Sequence, residues 1–185
     1  MIISELYLLT AIAFIVLLIT GSIVYSTVKL GISPMPSSTK AHLAMMELIS
    51  ETGTGTIVDL GSGWGNFVIR IANSYPQRQI VGYELSFLPW LTSKCLKKLL
   101  GLQNLTLHRK NFYLADLSKA SVLICYLFPE AMEKISYKLQ IEKTDVSYLI
   151  SNNFALPTWQ AYKTIRLNDF YKSPVYLYKI GKTET

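Results

Sequence analysis

The sequence predicts an α/β fold in which a doubly wound, seven-stranded sheet ends in an antiparallel hairpin and is preceded by one N-terminal transmembrane helix. Three observations predict it. Apolar runs alternate with helical segments through the chain, which is typical of a mostly parallel sheet covered on both faces. Two β-branched and aromatic runs separated by a turn close the chain, and an uncharged apolar segment opens it.

The opening segment runs from Leu6 to Val28 and contains 23 residues without a charge. A helix of that length can cross a hydrocarbon core about 30 Å thick. The N-terminus lacks the basic region and small-residue cleavage site of a secretory signal peptide, so we predict a retained anchor in residues 1–30, with a buried core helix as the alternative. Lys29 and Lys40 follow the span, and the positive-inside rule therefore places the rest of the chain in the cytoplasm.

A hinge and one domain are predicted after the anchor. Residues 31–38 are rich in Pro and Ser and form the hinge, and residues 39–185 form the domain. Ser37 or Ser38 is placed to cap a helix from Thr39 to Ser50. The apolar stripe predicted for this helix comprises Leu43, Met46 and Ile49.

The domain alternates strands and helices in the order that a doubly wound sheet requires. The strands are predicted over residues 56–60, 79–84, 105–108, 121–128 and 146–151, with the closing hairpin over 162–167 and 174–180. The helices between them are predicted over residues 66–73, 89–101 and 129–139. The run 121–128 is continuously apolar, which favours the centre of the sheet.

The most informative segment is a glycine-rich loop that follows the first strand. The strand carries Asp59 near its end, and glycines then occupy every second position at Gly61, Gly63 and Gly65. Glycines allow a positive φ and a close approach of backbone to ligand, and the following helix presents its first amides there. The spacing differs from the dinucleotide fingerprint G-x-G-x-x-G because the third glycine comes one residue early.

A second acid supports a ligand site. Glu84 ends the next apolar run and lies 23 residues after Gly61, the offset at which a strand-end acid meets ribose hydroxyls. The alternative is that the glycines form only a tight turn and that Asp59 and Glu84 are solvated strand ends. Together, the loop and both acids resemble the nucleotide loop of Rossmann-like S-adenosylmethionine-dependent methyltransferases.

Segments outside the loop narrow this resemblance. The segments VDLGSGWGNF, GYELSFLPW, YLFPEAMEKI and NFALPTW, behind an apolar anchor, resemble the membrane-anchored seven-β-strand protein-lysine methyltransferases that modify the adenine nucleotide translocase and the ATP synthase c-subunit. The resemblance covers about residues 30–160. It implies S-adenosyl-L-methionine as cofactor and a membrane-protein lysine as substrate. The implied location is a bacterial inner membrane, or alternatively a mitochondrial inner membrane, with the catalytic domain in the cytoplasm in the bacterial case.

The resemblance also implies which residues contact the cofactor. Asn111 stands where such enzymes often have an acid beside the adenine, and Asp116 is the alternative for that role or a turn residue. Trp64 replaces the Asp common in this loop. The implied cofactor contacts are Asp59, Gly61, Ser62, Gly63, Gly65, Glu84, Leu85, Asn111 and Phe112.

The acceptor side is predicted to be aromatic. The residues that end the fourth strand and follow the fifth would then form a channel for a lysine stem, with core or hairpin packing as the alternative. No dedicated base is required if this channel desolvates the amine. The candidate substrate residues are Tyr126, Phe128, Pro129 and Trp159, with Phe154 and Pro157 beside them.

The net charge of +6 belongs to the domain, and five cations cluster by sequence around its third helix and the strand after it. This cluster suits either an anionic lipid surface or a solvated helix face. The five cations are Lys94, Lys97, Lys98, Arg109 and Lys110. No nucleic acid is expected as a partner, since the sequence contains no signature that combines aromatic and basic residues.

No metal is expected either. Cys95 and Cys125 lack metal or redox spacing, and His42 and His108 have no evident partner in the sequence. Three functions remain open: a protein-lysine methyltransferase, a small-molecule or lipid methyltransferase at the membrane, and a non-catalytic cofactor-binding membrane module.

Overall fold

The computed structural model describes residues 5–14, 16–17, 20–21, 37–142 and 144–181. The chain divides into two units, Met1–Met35 and Pro36–Thr185. The described residues of the first unit are helical, and their side chains are exposed. Within the described ranges, no helix is both long enough and apolar enough to cross a bilayer. Much of the predicted span from Leu6 to Val28, and most of the hinge, lie outside the described residues.

The second unit contains a seven-stranded sheet, as predicted. The strands are β1 Ile57–Leu60, β2 Ile80–Tyr83, β3 Leu105–His108, β4 Val122–Cys125, β5 Tyr148–Asn152, β6 Lys163–Arg166 and β7 Pro174–Lys179. Their order across the sheet is β3-β2-β1-β4-β5-β7-β6. The first five strands are parallel to one another, and β7 pairs antiparallel with both β5 and β6. In the closing hairpin, the second strand, β7, therefore pairs with β5, and the first strand, β6, forms the edge of the sheet.

Four helices in the described part of this unit flank the sheet. They are α1 Thr39–Ser50, α2 Asn66–Ser74, α3 Phe87–Leu99 and α4 Pro129–Ile141, and a 3-10 turn covers Phe112–Leu114. Both faces of the sheet carry a buried cluster, one with Ile57 and Ile80 and the other with Val58 and Leu123. This alternation follows from the two-residue period of a strand. The carboxyl ends of the parallel strands meet at one edge, where the candidate site lies.

Three details of the prediction were wrong. In α1 the buried side chains are Ala41, Ala44, Met45, Leu48 and Ile49, whereas Leu43 is 59% exposed, because the inward face is rotated by about one residue from the predicted stripe. Helix α3 starts at Phe87, before the expected Pro89. Strand β4 ends at Cys125, so Tyr126 and Phe128 leave the strand and form the connection to α4.

Candidate functional site

The glycine-rich loop is fixed by the carboxyl end of the neighbouring strand. The amides of Gly61 and Ser62 both donate to the carbonyl of Tyr83, at 3.1 and 2.8 Å. The amide of Gly65 donates to the carbonyl of Ser62 at 2.9 Å and closes the turn. Backbone groups therefore hold the loop against β2, and their hydrogen bonds need no particular side chain.

Glycine is required at Gly63 and at Gly65 for different structural reasons. Gly63 has φ +54°, and a Cβ built there would meet no described protein atom within 4 Å, so its side is open to a ligand. Gly65 has φ +84° and caps α2 without a side-chain hydrogen bond. A Cβ at Gly65 would lie 2.6 Å from Oγ of Ser93, so this glycine lets α3 pack against the loop. Gly63 is therefore the position that points to ligand binding.

Glu84 joins the loop to the start of α3. One carboxylate oxygen accepts from the amide of Gly63 at 3.0 Å, and the other accepts from the amide of Ser86 at 2.6 Å. A half-buried carboxylate with two oxygens retains further lone pairs for hydroxyl donors. The predicted ribose acid thus lies at the loop, and it also has a structural role that the sequence did not indicate. Leu85, directly after it, is 36% exposed.

Asp59 is a buried carboxyl group near the end of the central strand β1. Its exposed fraction is 6%, and none of the ion pairs in the described part of the chain includes it. Burial, and secondarily the charge of Glu84, raise the pKa of Asp59 to about 7. A cation placed beside this carboxylate would reverse much of that shift. The site therefore favours a positively charged ligand group next to Asp59.

The residues proposed to contact the adenine follow β3. The side-chain oxygen of Asn111 accepts from the amide of Tyr113 at 3.0 Å and caps the 3-10 turn that begins at Phe112. Phe112 is half-buried and packs against the second core cluster. Asp116 is exposed, and hydrogen bonds from Ser118 hold its pKa below the ordinary value. Asp116 thus has the geometry expected of a turn residue. Asn111 still has its amide nitrogen and a second oxygen lone pair available for hydrogen bonds to a ligand.

The segment after β4 borders the glycine loop. A Cβ at Gly61 would lie 3.9 Å from a methyl carbon of Leu127, so the two strand ends are in contact distance. Tyr126 and Phe128 on either side are half-buried, and Pro129 is exposed at the first position of α4. The structure therefore brings these three predicted substrate residues to the same sheet edge as the loop.

The segment after β5 completes this aromatic side. The rings of Tyr126 and Phe154 stack with centroids 6.1 Å apart. Trp159 packs against the same core cluster as Phe128 and Phe154, and its buried indole N–H has no hydrogen-bond partner among the described residues. Asn153 and Thr158 have φ of +70° and +65°, which is unusual for residues other than glycine. This segment thus keeps a strained backbone and an unpaired donor beside the aromatic cluster.

Sequence reasoning missed Ser93 and the partners of both histidines. Ser93 is fully buried, and its hydroxyl oxygen lies 3.1 Å from the carbonyl oxygen of Gly63 and 2.9 Å from that of Pro89, so its single proton is donated to one of them or shared between them. The sequence feature that could have indicated this contact is a small polar residue in a helix of mostly large side chains. His42 stacks on Phe67 at 4.6 Å, and burial lowers its pKa, whereas His108 stacks on Tyr83.

Two clefts lie away from this site. One is lined by Ala72, Pro76, Gln79 and Leu102 at the amino edge of the sheet, and the other lies beside α4. Neither cleft is lined by the glycine loop or by Asp59 and Glu84, so the carboxyl edge is the better candidate. In the described ranges, no group of three or more His, Cys, Asp or Glu side chains is placed to hold a metal ion.

Known families and sequences resemble this chain over most of the second unit. Residues 59–163 match the family described as the ANTKMT methyltransferase domain. The ATP synthase c-subunit lysine N-methyltransferase of Xenopus laevis is 31% identical over 71% of this chain and 57% of its own length. The adenine nucleotide translocase lysine N-methyltransferase of Mus musculus is 33% identical over 57% of this chain and 46% of its own length. The chain thus spans about half the length of these vertebrate relatives.

Two further similarities cover more of the length of the protein that is compared. A protein-lysine N-methyltransferase of Saccharolobus islandicus is 24% identical over 80% of this chain and 93% of its own length. The crystal structure of an RNA methyltransferase from Salinibacter ruber, in complex with S-adenosyl-L-homocysteine, superimposes with a TM-score of 0.69 at 24% identity, over 82% of this chain and 97% of that one. At this identity the structural likeness shows the fold.

Proposed function

We propose that this protein transfers a methyl group from S-adenosyl-L-methionine to a lysine side chain of a membrane protein, because the chain belongs to the ANTKMT methyltransferase domain family. The observation that carries the proposal is the extent of the family match, from Asp59 to Lys163. It includes the glycine loop, Glu84 and both aromatic segments. Relatives from two vertebrates are named for lysines of the ATP synthase c-subunit and the adenine nucleotide translocase.

The cofactor half of the site fits S-adenosyl-L-methionine in charge and shape. Asp59, buried and without a cationic partner among the described residues, would take the amino group of the methionine moiety. Glu84 would accept from the ribose hydroxyls, and the open side of Gly63 leaves room for the ligand. Asn111 and Phe112 would contact the adenine, while Gly61, Ser62, Gly65 and Leu85 shape the surrounding surface.

The bound cofactor supplies an electrophilic methyl group on a sulfonium, and the protein must supply alignment and a neutral amine. A lysine with an ordinary pKa near 10.4 is neutral in about one of 2,500 molecules at pH 7, which costs roughly 4.6 kcal/mol. An aromatic channel removes water from the amine and thereby lowers its pKa. We propose that Tyr126, Phe128, Pro129 and Trp159 line this channel, and no separate general base is then needed.

We also propose that the N-terminal segment anchors the domain to a membrane. Leu6 to Val28 carries no charge, and its described positions are helical with exposed apolar side chains. The cations after the span favour an orientation in which the domain lies in the cytoplasm, most simply at a bacterial inner membrane, with the mitochondrial inner membrane as alternative. A protease added to intact cells should then leave the domain whole, and its digestion there would contradict this orientation.

The direct test of the function uses membranes and labelled cofactor. The full-length protein is incubated with membranes and S-adenosyl-L-methionine labelled on the methyl group, and label is measured separately in protein and in organic extract. We expect label in a membrane protein, recovered as methyl-lysine after hydrolysis. Label in the extract alone would indicate a lipid or small-molecule methyltransferase, and binding of cofactor without any transfer would indicate a non-catalytic module.

The contribution of the segment to substrate choice is testable in the same assay. A hinge as short as residues 31–38 would allow the site to reach only about 25 Å from the bilayer. Removal of residues 1–30 should therefore reduce methylation of membrane proteins while affinity for the cofactor stays nearly constant. Methylation of the same protein at the full rate would contradict this account of specificity.

A further inference from the structure

Helix α3 is buried less deeply than α4, because Leu88, Trp90 and Leu96 are only half-buried against the domain. Of its 13 residues, the structure buries Ser93 alone, and the helix packs against the glycine loop through that residue. Helix α4 has the same length and buries six residues, including Met132 and Ile135. A surface helix normally buries its apolar stripe against the core. In α3, by contrast, Phe87, Leu91 and Leu99 are exposed.

The outward side of α3 mixes large apolar and basic side chains. Phe87, Leu91, Lys94 and Lys98 follow one another at spacings of four, three and four residues, so they lie along one side of the helix. Phe87 is 48% and Leu91 37% exposed, and both lysines are exposed. Leu99, 81% exposed, ends the helix and lies about 100° around its axis from Lys98. We call these five residues, with the adjacent Arg109 and Lys110, the α3 face.

The α3 face carries positive charge without acidic partners. Helix α3 contains three lysines and no Asp or Glu. Arg109 and Lys110 follow β3 and are exposed. The guanidinium of Arg109 lies 5.3 Å from the ring centroid of Phe87, which places the basic end of β3 beside α3. The ion pairs of the described residues all lie elsewhere in the chain. The surface is therefore complementary to an anionic partner.

The apolar component favours an anionic bilayer over a nucleic acid. Leucine and phenylalanine side chains enter the acyl boundary while lysines contact lipid phosphates, which is typical of helices that lie in a membrane interface. Binding of single-stranded nucleic acid relies on open aromatic faces for base stacking. Here cations already lie over the candidate rings, since the ammonium of Lys94 is 4.8 Å from the ring centroid of Trp90 and Arg109 lies over Phe87.

We infer that the α3 face is a docking surface for anionic lipid, built into the folded domain and separate from the N-terminal segment. Helix α3 begins three residues after Glu84, so docking would hold the cofactor side of the site next to the bilayer. The inference concerns an interaction surface and does not depend on methyl transfer. It therefore stands or falls independently of the proposed function.

The native cysteines allow a direct test on the full-length protein. Cys95 is exposed on α3, whereas Cys125 is buried, so an environment-sensitive fluorophore can be attached to Cys95. The labelled protein is mixed with vesicles of phosphatidylcholine alone or with phosphatidylglycerol added. We expect a blue shift of the emission that depends on phosphatidylglycerol and is reversed by high salt.

Two charge-reversal variants of equal net charge separate the surface from bulk electrostatics. The double variant Lys94→Glu with Lys98→Glu should weaken docking of the α3 face on anionic vesicles by roughly 30-fold or more, because two lysines are lost. Lys119→Glu with Lys172→Glu changes exposed residues outside the α3 face and should leave the shift almost unchanged. Thermal unfolding of both variants checks that the fold is retained.

Several results would overturn the inference. An equal shift on neutral and anionic vesicles would show that the N-terminal segment alone brings the probe to the bilayer. Equal losses in both double variants would show a nonspecific charge effect. A blue emission that is present before vesicles are added would show a face already covered by protein. A response to an RNA oligonucleotide without a response to anionic vesicles would assign the surface to nucleic acid.

Discussion

The two parts of the candidate site are held in place by different interactions. The part at the ends of β1 and β2 is fixed mainly by backbone hydrogen bonds, whereas the part at the ends of β4 and β5 is fixed by aromatic packing. The cofactor half consists of a glycine loop fixed to the carbonyl of Tyr83 and to the carboxylate of Glu84. The proposed acceptor half consists of the stacked rings of Tyr126 and Phe154 and the packed indole of Trp159. Changes in the first half should therefore alter binding of the cofactor, and changes in the second should alter turnover.

The strongest test of this division is Gly63→Val. The branched side chain would occupy the open side of the loop where the ligand is proposed to lie, so we expect cofactor binding to be abolished in calorimetry. Gly53→Val is the matched control, because Gly53 also has a positive φ and open space around its Cβ position but lies away from the site. Equal binding by the two variants would remove Gly63 from the site.

Trp159→Ala tests the acceptor half alone. Loss of the indole should misplace the substrate amine and reduce turnover by about 100-fold, while the dissociation constant of the cofactor stays the same. Trp159→Phe retains an aromatic ring and should recover part of the rate. Single-turnover kinetics together with calorimetry separate the two quantities. Weakened cofactor binding in Trp159→Ala would show that the halves are coupled.

Glu84→Ala should lower cofactor affinity by roughly 1 to 3 kcal/mol, since hydrogen bonds to ribose and loop are lost. Glu84 also accepts from the amides of Gly63 and Ser86, so its removal should loosen the loop. Glu84→Gln keeps one acceptor oxygen and should lose less. Calorimetry measures affinity, and hydrogen exchange at Gly63 and Ser86 measures the loop. Unchanged affinity in Glu84→Ala would exclude a ribose contact.

The smallest expected effect on cofactor binding is a pH dependence set by Asp59. The pKa of about 7 in the folded, cofactor-free protein means that binding of a cationic group must displace a proton at lower pH. Cofactor affinity should therefore rise about tenfold from pH 6 to pH 8 and then level off. Calorimetry in buffers of different ionisation enthalpy should detect the released proton. Asp59→Asn should bind more weakly and with a flat profile, and a flat profile in the unsubstituted protein would contradict this role.

The raised pKa of Asp59 also makes stability depend on pH, but stability falls with rising pH whereas cofactor affinity rises. The pKa of Asp59 is raised from its ordinary value of 3.8 to about 7 in the folded protein, so the folded state binds more protons than the unfolded state between these values. The free energy of unfolding without cofactor should therefore fall as pH rises from about 4 to about 7, and Asp59→Asn should remove this part of the slope. Urea unfolding at a series of pH values measures it.

The sequence alone determined the order of the strands and helices and the position of the glycine loop. Strand and helix order followed from hydrophobic periodicity, and the glycine spacing with Asp59 and Glu84 located the loop, because these signals are carried by residues close together in the chain. The seven strands and the antiparallel hairpin were confirmed. The roles assigned to individual site residues stay predictions.

The tertiary structure decided what depends on contacts between distant segments. It showed that β7 inserts between β5 and β6, that Ser93 packs against Gly65, and that α3 leaves Phe87, Leu91 and Leu99 exposed. Helical periodicity gives α3 an amphipathic character but cannot say which side the sheet covers. It also decided the pKa of Asp59, because desolvation depends on every segment packed around the carboxylate and no single stretch of sequence contains them all.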